Sequence, residues 1–153
     1  NAFFNHFNCD AITVSPYMGE ESIEPFISSP SKGAYVLCRT SNKSSNFLQE
    51  DIFSKVISLC EALNNQQNIG LVVGATNDDA LMKVRNSTDL PFLIPGIGAQ
   101  GGDLQSVLKI NEKNMDTTLI NVSRGIIFSG NKDHDSIRNS AKQYLNLIRG
   151  LDG

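Results

Sequence analysis

Apolar residues fall into five short, nearly unbroken runs, separated by stretches in which they recur every three or four positions. The runs are "CDAITVS" (9–15), "AYVLCR" (34–39), "NIGLVVG" (68–74), "PFLIPG" (91–96) and "TLINVS" (118–123). Runs this short and this rich in Ile, Val, Leu and Phe predict parallel strands covered on both faces. In "DIFSKVISLCEALNNQ" (51–66), Ile52, Val56, Leu59, Cys60 and Leu63 share one helical face, with Asp51 expected in the first turn. "NDDALMKVRNS" (77–87) and "GDLQSVLKIN" (102–111) predict helices with Asn77 and Asp103 as N-caps. "HDSIRNSAKQYLNLIRG" (134–150) carries a stripe of Ile137, Ala141, Tyr144, Leu145 and Ile148. A weaker helical pattern, "EESIEPFIS" (20–28), is interrupted by Pro25. Residues 1–8, "NAFFNHFN", read as the tail of a further helix with Phe3, Phe4 and Phe7 turned inward.

A helix tail followed by five strand–helix units predicts an α/β fold with a parallel sheet. Two architectures fit: a five-stranded doubly wound sheet, or five-eighths of a (β/α)₈ barrel, whose intact form typically needs about 250 residues. Periodicity leaves both open. The 153 residues are 40% hydrophobic and 19% charged, ordinary for one soluble domain, with no linker or low-complexity tract. The net charge is −3 and the basic residues are scattered, which argues against nucleic acid as a partner. No apolar stretch approaches the roughly 18 residues that span a membrane. Cys9, Cys38 and Cys60 are odd in number, widely spaced and set in apolar segments, so they read as reduced core thiols of a cytoplasmic protein. The N-x-[ST] sequons at Asn42, Asn86 and Asn121 are taken as coincidental, the last lying in a strand-like run.

The stretch "LPFLIPGIGAQGGDL" (90–104) contains Gly96-x-Gly98-x-x-Gly101, a literal dinucleotide fingerprint. Its context argues against NAD. The match falls in the fourth visible unit instead of the first, and the acid at the expected spacing, Asp116, precedes its strand. A phosphate site shared by two loops fits better. "PGIGAQGGD" and "NVSRGII" each follow a strand, and in a barrel the loops after the last two strands habitually hold phosphate. Gly98, Gly101 and Gly102 allow close backbone approach, Arg124 offers a fixed fork of donors, and Gln100 can donate and accept through its amide. The alternative for Arg124 is a surface salt bridge. A third polar loop, "RTSNKSSN" (39–46), is either a solvated turn or a place where Ser41 reaches a heterocycle. Tyr17 and Met18, in the first loop, read as packing residues.

Taken together, "DAITVSPYMG" (10–19), "VLCRTSN" (36–42), "GLVVGAT" (70–76), "IPGIGAQGGD" (94–103) and "NVSRGI" (121–126) resemble, in order, the fourth to eighth strands and loops of the orotidine 5′-phosphate decarboxylase family. The resemblance implies a (β/α)₈ barrel, usually a homodimer. It also implies conversion of orotidine 5′-phosphate to uridine 5′-phosphate and CO₂, in pyrimidine biosynthesis, with neither metal nor organic cofactor. It makes Ser41 the contact to the pyrimidine and Gln100 the bridge between the phosphate and pyrimidine sides. Arg124 becomes the phosphate clamp, Ser123 lends its backbone N–H, and Pro95 with the following glycines forms the wall over the substrate.

One departure is large. The family's chemistry rests on a Lys/Asp array, chiefly D-x-K-x-x-D at the third strand, yet this chain has no Asp-x-Lys, and Lys83 and Lys109 fall in helical patterns. No catalytic residue is therefore assigned here. The chain, which starts at Asn1 in what reads as mid-helix, is expected to be the C-terminal portion of one barrel domain (residues 1–153), with the array upstream of Asn1. By itself such a piece should leave two unpaired sheet edges and one uncovered face. The alternatives are a non-catalytic nucleotide- or phosphate-binding α/β module, and another phosphate-site barrel enzyme. An aldolase would need a Schiff-base Lys at a strand end, which no run supplies. Neither G-x-S-x-G nor H-E-x-x-H occurs.

Overall fold

The computed structural model describes residues 2–150. Five strands, β1 (Ala11–Val14), β2 (Gly33–Arg39), β3 (Ile69–Val73), β4 (Phe92–Pro95) and β5 (Thr118–Asn121), form one parallel sheet in the order β1-β2-β3-β4-β5. That order decides between the two architectures. A doubly wound sheet reverses its strand order at a switch point. Here every strand pairs with its sequence neighbour, and right-handed crossovers then put all the connecting helices on one face. The chain is a half-barrel.

The principal helices are α2 (Asn46–Leu63), α3 (Asp78–Arg85), α4 (Leu104–Ile110) and α6 (His134–Arg149). Two four-residue turns, α1 (Glu24–Ile27) and α5 (Arg124–Ile127), complete the α-helical set among the described residues. Asn77 and Asp103 cap α3 and α4 as expected, accepting from the N–H groups of Ala80 and Ser106. Asp133 caps α6 in the same way, through Ser136 N–H. The core lies between sheet and helices: Val36, Leu71, Phe92 and Ile94 from the strands meet Val56, Cys60, Leu81, Val84 and Val107 from α2, α3 and α4. Cys38 and Cys60 are buried free thiols, and burial pushes both up to about 12, so they stay protonated packing groups. Cys9 is half-buried and also free.

The expected uncovered face is present: Thr13, Tyr35, Leu37, Leu93 and Leu119, which the register puts on one side of the sheet, are exposed or half-buried, while the middle strand β3 is buried throughout. Several other expectations are corrected. Helix α2 begins at Asn46, which places Asp51 beyond the first turn. Pro25 stands in the first turn of α1, where a missing N–H costs nothing, so it starts that turn instead of interrupting a helix. Leu145 is exposed while Ile137, Ala141, Tyr144 and Ile148 are half-buried. Phe4 packs edge-on against Phe26, whereas Phe3 and Phe7, 53% and 65% exposed, pack against each other at the surface. Tyr17 and Met18, read as packing residues, are each 77% exposed.

Candidate functional site

Because the strands are parallel and sequential, the loops that follow them gather at one rim. Ser41 follows β2, Pro95 ends β4 and leads to Gln100, and Ser123 and Arg124 follow β5. Ser41, Gln100 and Arg124 each follow a strand run in the same chain direction, and the structure brings them, with Pro95 and Ser123, to the same end of the sheet.

The Ser41 loop is held at four points. The buried Arg39, at the end of β2, donates from Nη1 to Glu50 Oε2 at 2.6 Å and from Nη2 to Asn46 Oδ1 at 2.8 Å. Thr40 N–H donates to Gln49 Oε1 at 2.7 Å, and Thr76 Oγ1 donates to the Ser41 carbonyl at 3.0 Å. Hydrogen bonds from Lys83 and Arg39 hold the Glu50 carboxyl below its usual range. The loop is thus stapled to the start of α2 and to the turn after β3, which makes it more than a solvated connection.

Across the rim, Ser41 Oγ donates to Gln100 Oε1 at 2.7 Å. Gly96 makes that approach possible. Its φ is +100°, and a Cβ there would stand 2.9 Å from Gln100 Oε1 and 3.2 Å from Ser41 Cβ. Gly74 does the same from β3: a Cβ would come within 2.6 Å of the Ser41 nitrogen.

Gln100 lines two adjoining hollows. The first, of about 290 Å³, contains Arg39, Thr40, Ser41, Asn42, Lys43, Thr76 and Asn77. The second, of about 60 Å³, lies between Pro95–Gln100 and Asn121, Ser123 and Arg124. Arg124 is exposed, takes part in no ion pair among the described residues, and makes one long contact from Nη2 to the Ala99 carbonyl at 3.5 Å. Its guanidinium is available to an anion in the smaller hollow. A larger hollow of about 400 Å³, bounded by Tyr17, Leu37, Leu48, Ile52 and Leu59, is mostly apolar and contains none of Ser41, Gln100 or Arg124. We place the site at the polar rim.

The glycine loop is unsuited to a dinucleotide for a second, structural reason. The pyrophosphate of such a ligand sits on the N-terminus of the following helix. Here the Asp103 carboxylate occupies the N-terminus of α4, held below its usual range by the Ser106 N–H. A second anion there would be repelled.

Sequence reasoning missed Arg39, Thr76 and Asn121. Asn121, which the sequence pattern makes a coincidental sequon within a strand, closes β5 with its side chain exposed at the smaller hollow. A polar residue at the last position of an apolar run was the available signal for Arg39 and Asn121. No group of three or more His, Cys, Asp or Glu side chains with metal-binding geometry occurs among the described residues. No helix among them is long and apolar enough to cross a membrane.

Comparison with known proteins identifies the family. The chain is 42% identical over 166 aligned residues to the orotidine 5′-phosphate decarboxylase of Dehalococcoides mccartyi, covering 96% of this chain and 60% of that protein. It is 43% identical over 134 residues to the enzyme of the same name from Halorubrum lacusprofundi, covering 79% of this chain and 49% of the relative. The chain therefore spans about half to three-fifths of the length of these relatives. Among solved structures, Leishmania donovani OMP decarboxylase superposes with a TM-score of 0.86 at 40% identity, over 97% of this chain and 60% of that one. A family model described as "Orotidine 5'-phosphate decarboxylase / HUMPS family" matches residues 2–136, and the chain belongs to that family.

Proposed function

We propose that the complete protein containing this chain decarboxylates orotidine 5′-phosphate to uridine 5′-phosphate, and that this stretch supplies the grip on the substrate. The observation that carries the reading is the double position of Gln100. It is hydrogen-bonded to Ser41 in one hollow and lies beside the Arg124 loop in the other. A nucleotide has the matching shape, with a heterocycle for the Ser41 side and a phosphate for the Arg124 side. With Oε1 already taken by Ser41, the Gln100 amide nitrogen is free to donate toward the ligand.

Arg124 contributes a planar fork of donors to the phosphate. The N–H groups of the Ser123–Arg124–Gly125 turn, which begins a helix, add partial positive charge. Pro95 and the Gly96–Gly102 loop wall the substrate in. Binding energy gathered at the phosphate is remote from the bond that breaks, and such energy can be spent on orienting and strain at the reacting centre. The reacting centre itself needs a preorganised cation where the ring carbanion develops, later the proton source for that carbon, with carboxylates to place it. We assign that Lys/Asp array to the part of the barrel upstream of Asn1 and assign no catalytic residue to this chain. The exposed Tyr17, Met18 and Phe47 support a further surface against them, which we assign to a homodimer.

The test is CO₂ release from orotidine 5′-phosphate by the complete protein, together with binding of uridine 5′-phosphate. Turnover is expected. Nucleotide binding without turnover would replace this reading with a non-catalytic nucleotide-binding module.

A further inference from the structure

Helix α6 presses one side chain against both anion-holding loops. The Tyr144 hydroxyl oxygen lies 2.9 Å from where a Cβ would stand on Gly98, and 2.7 Å from where one would stand on Gly125. Gly98 belongs to the loop after β4, and Gly125 directly follows Arg124 in α5. The ladder joining β4 and β5 ends at Pro95 and Asn121, so beyond that pair the backbone no longer sets the spacing of the two loops. Helix α5, four residues long, is too short to hold its own place. It is tied to α6 by Ser140, buried one turn before Tyr144 on the same face, whose Oγ donates to the Gly125 carbonyl at 2.8 Å. Helix α6 thus pulls on the Arg124 turn through Ser140 and props it away from the glycine loop through Tyr144.

We propose that Tyr144 is a positioning residue, a spacer that sets the width of the phosphate notch between the Gly96–Gly102 loop and the Ser123–Gly125 turn. It touches no substrate and acts through the two backbones it separates. The residue lies beyond the stretch, 2–136, that the family model matches. The inference rests on the phosphate-gripping role given above to Arg124 and Gln100.

Gly125 offers a clean perturbation because its φ is not positive, so alanine suits its backbone. The added methyl would collide with the Tyr144 hydroxyl at 2.7 Å, while Val122 Cγ1 at 3.2 Å needs to yield only slightly and the Tyr144 ring carbon at 3.4 Å is an ordinary contact. Removing the hydroxyl should therefore make room. In the complete protein, Gly125→Ala is expected to raise KM for orotidine 5′-phosphate about tenfold or more, with any fall in kcat smaller than that rise. Adding Tyr144→Phe should return KM to within about threefold of the Tyr144→Phe single variant. An unchanged KM in Gly125→Ala, or a raised one that Tyr144→Phe fails to restore, overturns the spacer. Should Gly125→Ala not fold, Tyr144→Leu serves: a cooperatively melting protein with unshifted KM would equally overturn it. A purely structural role would lower the melting temperature and the active fraction, hence kcat, and leave KM alone. Absence of turnover in the unsubstituted protein defeats the functional reading instead, so the two failures are distinguishable.

Discussion

Arg124 stands exposed at the edge of the smaller hollow, its guanidinium engaged by one long contact to a carbonyl. A charged fork so little committed to the protein should give most of its interaction to a ligand. In the complete protein, Arg124→Ala is expected to weaken uridine 5′-phosphate binding by about 1.5–3 kcal/mol, the range for a hydrogen bond to a charged group. Calorimetric titration checks this, and unchanged affinity would remove Arg124 from the clamp role. The rim positions of Ser41, Gln100 and Arg124 were legible because each lies in a loop that follows an apolar run, where small or polar residues have no core to fill. Arg39 was not. Its function depends on Glu50 and Asn46, which reach it only because α2 starts several residues earlier than its apolar stripe reveals. Tyr17 and Met18 were misread because hydrophobicity predicts burial only when a surface is at hand to cover it.

At the scale of elements, long and periodic segments were readable and short ones were not. The five strands and the Asn77 and Asp103 caps were recovered because buried parallel strands and helix N-termini leave local signatures. Turns α1 and α5 span four residues each, about one helical period, so they carry no stripe to detect. The caps also make a pH prediction. The Ser106 N–H holds the Asp103 carboxyl below its usual range in the folded chain. A group whose folded value is depressed stabilises the fold at neutral pH, and that contribution is lost as pH falls from about 4 through the lowered value. Asp103→Asn keeps a capping oxygen and removes the charge. Urea midpoints measured from neutral to acid pH should therefore fall less steeply in Asp103→Asn than in the unsubstituted protein. Parallel profiles would show that Asp103 does not couple folding to pH.

For the whole molecule, strand order carried the information that periodicity lacks. A doubly wound sheet and a barrel segment share the same alternation of strands and helices, and they differ in which strands are neighbours. Neighbour order arises from long-range pairing, as between β2 and β3, where Tyr35 pairs with Gly70, and no local pattern records it. The half-barrel ends in β1 and β5, whose outer edges pair with no other strand among the described residues. We expect the isolated 153-residue chain to melt at low temperature with poor cooperativity and to release no CO₂ from orotidine 5′-phosphate, even at millimolar substrate. Adding the N-terminal portion of the barrel in trans should restore a cooperative melt and some turnover. Turnover by the isolated chain would place the reactive array within these residues after all.

Sequential strand order has one more consequence, for inheritance. Ser41, Gln100, Arg124 and helix α6 all lie on one uninterrupted length of chain, in the order in which they sit around the rim. On the function proposed above, a single recombination crossover ahead of β1 would carry the whole phosphate grip to a new partner sequence, and a different set of reactive side chains would inherit a ready-made hold on phosphorylated substrates.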